Sequence, residues 1–194
     1  MKKIKTGILI SGRGSNMAAL IKATREHDYP AEIVLVISNK ADAPGLGIAR
    51  REGIKTSVVM QSAFATKAEF EAELQKNLLD AGVELICLAG FMRVLSADFV
   101  NLWQGRLINI HPSLLPAYRG LHTHERALAD GAAFHGCTVH HVVAALDAGP
   151  TIAQEQIPVL PDDTAETLAA RVLEIENRLY PRALARVAKE LIPL

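Results

Sequence analysis

The sequence predicts one α/β domain spanning residues 1–194, built on a doubly wound, mostly parallel sheet with an antiparallel strand in its C-terminal half. Three observations predict this fold. Five short apolar runs rich in β-branched residues alternate with stretches of helical periodicity, the pattern of parallel strands joined by crossover helices. A glycine-rich turn directly follows the first run. Two later apolar runs flank a short LDAGP connection, which can join only antiparallel strands.

The five N-terminal strands are separated by stretches that can form helices. Thr66, with Glu69 three residues later, forms a capping box, and the helix that it starts is expected to end at Gly82. A shorter helix is predicted between Pro44 and Gly53, because proline favours the first turn of a helix and glycine its end. The strands are predicted at residues 4–10, 33–37, 56–60, 83–89 and 106–110.

The C-terminal part of the chain is predicted to add one helix, an antiparallel pair of strands and a final helix. Asp163 is expected to cap the final helix together with Glu166. Pro181 is expected to mark a break in that helix or the first turn of a new one. The other helix is predicted at residues 123–129, and the two strands at 137–145 and 151–159.

Composition narrows the class of partner. The chain has 194 residues, of which 49% are apolar, and 21 basic side chains balance 21 acidic ones. Such a surface has no net field to attract nucleic acid or an anionic membrane, so neither is expected as a partner. The apolar run at 8–10 is too short for a signal peptide or a membrane span. Cys87 and Cys137 cannot form a disulfide framework for a chain of this size, so a reducing, cytoplasmic location is expected.

The turn after the first strand has the composition of an anion site. It reads SGRGSN and leads into an apolar helical run from Met17. Glycines before a helix leave backbone N–H groups free at the positive end of the helix dipole. We therefore expect Gly14, Ser15 and Asn16 to bind a single phosphate. The alternative is a tight turn in which Ser15 or Asn16 is an ordinary N-cap.

The common nucleotide-binding fingerprints do not fit this turn. Met17 stands where the dinucleotide motif has its third glycine, and SNK at 38–40 ends the second strand where a ribose-binding acid would be expected. A P-loop would need a lysine and a hydroxyl residue after its second glycine, in the neighbourhood of Asn16 and Met17. The sequence thus disfavours both an NAD-dependent enzyme and a P-loop nucleotidase.

The stretch LINIHPSLLP, at 107–116, combines a strand with groups that can do chemistry. Asn109 and His111 are two residues apart, so both side chains leave the strand on the same face. Pro112 and Pro116 end the strand and stiffen the loop after it. A same-face pair at the end of a strand can hold one small reacting group. The alternative for His111 is a histidine that only caps the strand.

Asp147, in the LDAGP turn, is the carboxylate expected to complete this pair, although an aspartate before Gly149 can also serve only the turn. A neutral donor, a titratable donor and a carboxylate suit acyl transfer through a tetrahedral oxyanion. No covalent nucleophile is expected, because Ser113 lies between a proline and a leucine and Cys87 lies in a buried strand pattern. The transfer should therefore be direct.

Six of the seven histidines lie between residues 111 and 141. The chain has no HExxH motif and no cysteine pair at ligand spacing, so these histidines do not predict a metal site. His140 and His141 point to opposite faces of their strand, and at most one of them can reach the site. His140 is retained as a candidate.

Four segments carry a resemblance to a known family: LAGFMRVLS, LINIHPSLLP, GLHTHERAL and VHHVVAALDAGP. Together with ISGRGSN near the start, they resemble the folate-dependent formyltransferases over essentially the whole chain. The resemblance implies a Rossmann-like fold whose N-terminal half binds the nucleotide and phosphate and whose C-terminal half adds the folate site. It also implies transfer of the formyl group of 10-formyltetrahydrofolate, as co-substrate and without a metal, to the amine of glycinamide ribonucleotide in purine synthesis.

The resemblance assigns roles to particular residues. Catalysis is implied at Asn109, His111 and Asp147, the trio that the residues alone predict. Glu176 matches a carboxylate used on the ribose hydroxyls, whereas its surroundings in EIENR would indicate only an exposed helix acid. The phosphate is implied at Gly14, Ser15 and Asn16.

The resemblance also implies a folate site at Met92, Arg93, Val94, Leu95, Ala144 and Asp147, with the main chain of Leu95 and of the 144–147 turn gripping the pterin. From the residues alone, Phe91 and Met92 would belong to the core and Arg93 would be a surface cation. Lys67 stands where some relatives carry an arginine that contacts the phosphate or the folate tail, so it keeps the charge without the bidentate geometry.

Other functions are also compatible with parts of this sequence. A formyltransferase acting on a charged tRNA or a sugar nucleotide would share NIHPSLLP, but the tRNA enzyme needs a further C-terminal domain and a basic surface. A formyltetrahydrofolate hydrolase would share the catalytic trio and usually carries an N-terminal regulatory domain. A non-catalytic module that binds a sugar phosphate is the alternative outside enzymes. The chain is expected to be a monomer or a homodimer.

Overall fold

The computed structural model describes residues 2–192 and contains one seven-stranded sheet with helices on both faces. The strands are β1 (Ile4–Ile10), β2 (Ala31–Ser38), β3 (Lys55–Val58), β4 (Leu85–Leu88), β5 (Leu107–His111), β6 (Phe134–His141) and β7 (Thr151–Pro158). The helices are α1 (Ser15–Thr24), α2 (Pro44–Arg51), α3 (Lys67–Asp80), α4 (Ala97–Leu102), α5 (Thr123–Ala129) and α6 (Ala165–Leu191). None of the helices within residues 2–192 is both long and apolar enough to cross a membrane.

The strand order is β3-β2-β1-β4-β5-β6-β7. Pairing is parallel from β3 through β5 and antiparallel from β5 to β7, so the predicted fold class is confirmed. The chain winds outward in one direction from β1 and in the other from β4. The crevice at the carboxyl ends of these two strands is therefore a topological switch point, where sheets of this type bind ligands.

Two apolar layers, one on each face of the sheet, make the core. Consecutive residues of β1 alternate between them: Ile8 and Ile10 pack with α1 and α6, whereas Leu9 packs with α3 and α4. This alternation follows from the two-residue period of a strand. Burial on both faces also explains why the parallel strands read as continuous apolar runs.

Most predicted element ends are within a few residues of the observed ones, and β1 and α5 agree at both ends. The strand expected at 137–145 is displaced, because β6 ends at His141. Its neighbour β5 begins at Leu107 and pairs His141 with Ile108. Beyond the bond from Val142 N–H to the Leu107 carbonyl, β5 offers no further residue for pairing, and residues 143–150 become a loop.

Two predictions about the last helix were wrong. Thr164, not Asp163, is the N-cap of α6, and it forms a capping box with Thr167. The Asp163 carboxylate instead accepts from Leu160 N–H at 2.8 Å and pairs with Arg171 at 2.6 Å, which leaves the next side chain to cap. The helix also runs through Pro181 without a break.

The continuity of α6 has a packing explanation. An internal proline costs a helix about 3 kcal/mol. The residues around Pro181 are fully buried in the core: Tyr180 and Leu184 have an exposed fraction of 0%. The apolar surface that these turns bury against the sheet outweighs the lost hydrogen bond.

Candidate active site

The SGRGSN turn joins β1 to α1 and exposes the first turn of that helix. Gly14 is the N-cap, with a left-handed φ of 77°, and no side chain within residues 2–192 caps the helix. The alternative in which Ser15 or Asn16 is the N-cap is therefore wrong. The N–H groups of the first turn have no partner within the helix, so they can donate to an anion.

Gly45, at the start of α2, braces this turn, and sequence reasoning missed it. Its N–H donates to the Gly12 carbonyl at 3.1 Å. A Cβ at this position would lie 2.6 Å from Ile10 Cδ1, 3.0 Å from the Gly12 oxygen and 3.2 Å from Gly14 Cα. Only glycine allows α2 to approach the turn so closely. The available signal was the Pro-Gly pair, which marks a first helical turn but does not reveal its contact.

A cavity of about 250 Å³ lies at the switch point between β1 and β4, in front of the exposed turn of α1. Ser11 ties its walls together: the hydroxyl accepts from Met92 N–H at 2.8 Å and donates to Asn39 Oδ1 at 2.5 Å. The ends of β1 and β2 and the loop after β4 are thus held in one arrangement. The cavity is lined by Ser11, Gly12, Arg13, Gly14, Ser15, Asn16, Ala89, Gly90 and Met92.

The structure brings Asn109, His111 and Asp147 together, as the sequence predicts, and adds His140 to them. His111 Nδ1 lies 3.5 Å from Asp147 Oδ2, and His140 Nε2 lies 3.8 Å from Asp147 Oδ1. Asn109 Nδ2 lies 3.3 Å from His140 Nε2. The Asp147 carboxylate therefore lies close to two imidazoles, and one of these, His140, contacts the Asn109 amide.

The hydrogen bonds of this cluster set the direction of each donor. His140 Nδ1–H donates to the His141 carbonyl at 2.9 Å, and burial lowers the pKa of His140. In the neutral ring Nε2 is therefore the acceptor, so the Asn109 amide must donate to it. His111 Nε2–H donates to the Tyr118 carbonyl at 2.9 Å, while Nδ1 faces Asp147. Both nitrogens of His111 therefore face acceptor oxygens.

Asp147 reaches this cluster from a left-handed backbone conformation, with φ at 47°. Its Oδ2 accepts from Gly120 N–H at 2.9 Å, and its side chain is only 8% exposed. The loop after β6 doubles back along β5 to place this carboxylate. A turn-forming role and a contact with His111 are therefore combined in one residue.

Ser113 and Cys87, the two side chains considered as nucleophiles, are both buried. Ser113 is fully buried and donates to the Ala117 carbonyl at 2.6 Å. Cys87 is a buried free thiol, and burial raises its pKa to about 12. Both observations agree with the expectation of direct transfer. No group of three or more histidine, cysteine or acidic side chains within residues 2–192 could hold a metal ion.

The residues expected to bind folate lie on two loops, and their side chains differ in exposure. Met92 and Val94 are 61% and 65% exposed, while Leu95 is buried at 7%. The expectation that Met92 belongs to the core was wrong, because β4 ends at Leu88 and the chain turns outward after it. The same expectation was right for Phe91, which is 8% exposed. Exposed apolar side chains beside a polar cluster are typical of a binding surface. Arg93 and Ala144 are exposed on the same two loops.

A buried carboxylate anchors the end of the first of these loops. Glu71 on α3 accepts from Ser96 N–H at 2.7 Å and also from the Ser96 hydroxyl. Lys67 Nζ lies 3.8 Å from Glu71 Oε1. Lys67 therefore lies beside the loop that runs from Phe91 to Ser96, and its contact with a substrate stays a prediction.

Glu176 lies on α6, and the structure pairs it with Asn16 of the SGRGSN turn. Its Oε2 accepts from Asn16 Nδ2 at 2.7 Å. Glu176 is 7% exposed, so the expectation from local sequence of an exposed helix acid was wrong. Burial raises the pKa of this carboxyl, and the Asn16 amide opposes the rise.

The comparisons with known proteins agree with this geometry. The family model described as formyl transferase matches residues 4–184. A phosphoribosylglycinamide formyltransferase from Escherichia coli is 44% identical over 178 residues, covering 92% of this chain and 84% of that protein. The crystal structure of a phosphoribosylglycinamide formyltransferase from Brucella melitensis is 50% identical, has a TM-score of 0.94, and 99% of each chain is covered.

The chain is also similar to part of a longer protein. It is 49% identical over 186 residues to the trifunctional purine biosynthetic protein adenosine-3 of Gallus gallus, covering 96% of this chain and 18% of that protein. The chain thus spans about a fifth of the length of such trifunctional relatives. From the extent of the family match and the similarity to relatives of nearly the same length, the chain belongs to the formyl transferase family.

Proposed function

We propose that this protein transfers the formyl group of 10-formyltetrahydrofolate to the amine of glycinamide ribonucleotide, a step of de novo purine biosynthesis. The observation that carries the proposal is the cluster of Asn109, His111, His140 and Asp147 near a cavity suited to one phosphate. Membership of the formyl transferase family and the names of relatives of similar length support it.

The ribonucleotide binds with its phosphate at the exposed turn of α1. The main-chain N–H groups of Ser15 and Asn16, the Ser15 hydroxyl and the positive end of the helix dipole stabilise the phosphate charge. The left-handed Gly14 lets the turn present these groups. Glu176 accepts from the ribose hydroxyls, and the amine then points along the carboxyl ends of β4 and β5.

The folate binds between the loop at 91–96 and the turn at 144–147. Leu95 has a buried side chain, so it offers its main chain to the pterin, as does the turn that includes Ala144. Met92 and Val94 supply exposed apolar surface for the ring system. Arg93 is an exposed cation that can meet the acidic tail of the folate.

The reaction forms one C–N bond and breaks another. The neutral amine attacks the formyl carbon and gives a tetrahedral intermediate whose oxygen carries negative charge. The Asn109 amide has a second N–H beyond the one given to His140, and it donates to this oxygen. His111 exchanges the Tyr118 carbonyl for the same oxygen. One preorganised donor of this kind contributes about 3 to 4 kcal/mol to a transition state.

Proton movement completes the transfer. The attacking amine loses a proton, and the folate nitrogen gains one as its bond to the formyl carbon breaks. Asp147 stabilises the charged form of His111 and passes the proton through water. The products are formylglycinamide ribonucleotide and tetrahydrofolate, so no oxidant, reductant or metal takes part in the balance.

Release of tetrahydrofolate with and without glycinamide ribonucleotide tests the proposal. We expect release that depends on the ribonucleotide and appearance of its formylated product. Release without the ribonucleotide would indicate a hydrolase instead. Binding of the ribonucleotide with no release at all would indicate a non-catalytic module.

Variants of the cluster test the assignment of roles. Asn109→Ala, His111→Ala and Asp147→Asn should each lower kcat by about a hundred- to ten-thousandfold. The KM for the ribonucleotide should change little, because these groups act on the transition state. Near-normal turnover of any one variant would remove that residue from the mechanism.

A further inference from the structure

We propose that the side chain of Asn16 is a positioning residue for Glu176, so that it serves the ribose end of the substrate and not the phosphate. This inference rests on the proposed function, which places the phosphate at the first turn of α1 and the ribose hydroxyls at Glu176. It separates two roles within one residue: the main-chain N–H of Asn16 faces the phosphate, and its side chain holds a carboxylate on another helix.

The orientation of the Asn16 amide is set by its partner. Nδ2 lies 2.7 Å from Glu176 Oε2, and a carboxylate oxygen accepts from an N–H but is repelled by a carbonyl oxygen. The reversed amide would bring two acceptors face to face, so the nitrogen must point to Glu176. The amide oxygen Oδ1 is buried and has no hydrogen-bond partner in the described part of the chain.

This orientation is unfavourable for direct phosphate binding. A phosphate dianion presents acceptor oxygens and therefore needs donors. The Asn16 amide nitrogen gives one N–H to Glu176, which fixes the direction of its second N–H, and the remaining atom, Oδ1, is itself an acceptor. The phosphate then depends on the Ser15 hydroxyl and on the main-chain N–H groups of the first turn, which any residue at position 16 other than proline provides.

Glu176 depends on the Asn16 amide more than a surface carboxylate would. It is only 7% exposed, and a buried carboxylate without a partner costs several kcal/mol of desolvation. The bond from Asn16 stabilises the ionised form in place. An ionised carboxylate has lone pairs for both hydroxyls of a vicinal diol, the feature that distinguishes a ribose from a simple phosphate ester.

A double-mutant cycle tests the coupling. The variants are Asn16→Ala, Glu176→Ala and the two combined, and the readout is the KM for glycinamide ribonucleotide. We expect each single variant to raise KM about ten- to hundredfold, the loss typical of a hydrogen bond to a charged group. The combined variant should be no worse than Glu176→Ala within about twofold. Multiplied effects would overturn the inference, and so would an unchanged KM for Asn16→Ala.

A second measurement separates the two ends of the substrate. Inorganic phosphate serves as a competitive inhibitor, and its inhibition constant should be the same for the wild type and Asn16→Ala. A constant raised as strongly as the KM would show that the side chain binds the phosphate directly. Asn177→Ala is the matched control, because Asn177 is the next residue on α6 and its side-chain Oδ1 is buried without a hydrogen-bond partner within residues 2–192, but its side chain makes no hydrogen bond to the Glu176 carboxylate.

The inference and the proposed function can fail separately. Calorimetry can measure the affinity of ribose 5-phosphate for the wild type, the two single variants and the combined variant, and this measurement does not require turnover. Coupling in that measurement from a protein that does not formylate glycinamide ribonucleotide would overturn the function and leave the inference standing. Formylation of glycinamide ribonucleotide by a protein in which the Asn16 and Glu176 substitutions act independently would support the function and overturn the inference. If Glu176→Ala does not fold, Glu176→Met removes both oxygens and keeps the length of the side chain.

Discussion

Gly45→Ala is expected to damage the proposed phosphate site, although Gly45 is not itself proposed to contact the phosphate. The new Cβ would lie 2.6 Å from Ile10 Cδ1, 3.0 Å from the Gly12 oxygen and 3.2 Å from Gly14 Cα. Overpacking of this kind costs about 1 to 3 kcal/mol, while the higher helix propensity of alanine returns about 0.5 to 1 kcal/mol. The net loss of stability should therefore be about 0 to 2.5 kcal/mol.

The larger effect should be on binding, because two of the three close contacts belong to the backbone of the phosphate turn. A shift of the turn by a few tenths of an ångström misaligns its N–H groups, each of which contributes about 1.5 to 3 kcal/mol to a charged partner. We expect the KM for glycinamide ribonucleotide to rise roughly tenfold, with kcat nearly unchanged.

Gly47→Ala is the matched control for this substitution. Gly47 lies two residues further along the same helix, and its Cβ would meet only Arg51 Nη1, at 3.5 Å. This variant should be more stable than the wild type by about 0.5 to 1 kcal/mol, with an unchanged KM. Urea unfolding and initial-rate kinetics measure both quantities. A normal KM for Gly45→Ala would refute the role of α2 as a brace of the phosphate turn.

Two further predictions concern the core and the response to acid. Tyr180→Phe removes a hydroxyl that lies 3.0 Å from the Leu88 carbonyl and 3.2 Å from the Ile108 carbonyl. Its loss should lower the free energy of unfolding by denaturant by about 1 to 3 kcal/mol. It should also lower kcat, because Ile108 directly precedes Asn109. Tyr29→Phe, which removes a bond to the Pro181 carbonyl, should cost similar stability and leave kcat unchanged, and equal kcat values for the two variants would contradict a role in placing Asn109. Burial, reinforced by His124, lowers the pKa of His135 to about 4, so the unfolded chain takes up the proton first and stability should fall as the pH drops from 7 towards 4. His135→Gln should reduce the loss of unfolding free energy between pH 7 and pH 5 by about 2 kcal/mol, whereas the same change at the exposed His27 should not; an identical pH slope for wild type and His135→Gln would show that His135 is not the titrating group.

The sequence predicts the parts of the structure that are encoded by local period and local signals. The strand at 4–10 and the helix at 123–129 agree with the structure at both ends, because apolar runs and turn residues delimit them. Asn109 and His111 were placed on one face by the two-residue period of a strand. The fold class follows from the alternation of such elements.

Contacts between distant parts of the chain could not be predicted in this way. The bond from Asn16 to Glu176 spans 160 residues, and the bonds of Tyr180 span 92 and 72. A local pattern does not record which polar group a buried side chain will meet. The exposure of Met92 shows the same limit. Methionine is a residue type that favours the core, but β4 ends at Leu88, and the chain after it directs Met92 outward.

The bond between α1 and α6 also bears on how the protein is made. During synthesis the phosphate turn leaves the ribosome early, and Glu176 follows 160 residues later. At about 5 to 20 residues per second, the two halves of the substrate site are separated by about 8 to 32 seconds. A nascent chain therefore contains the turn proposed to bind phosphate well before it contains the carboxylate proposed to bind the ribose hydroxyls, so the proposed nucleotide site is complete only after the last helix has been made.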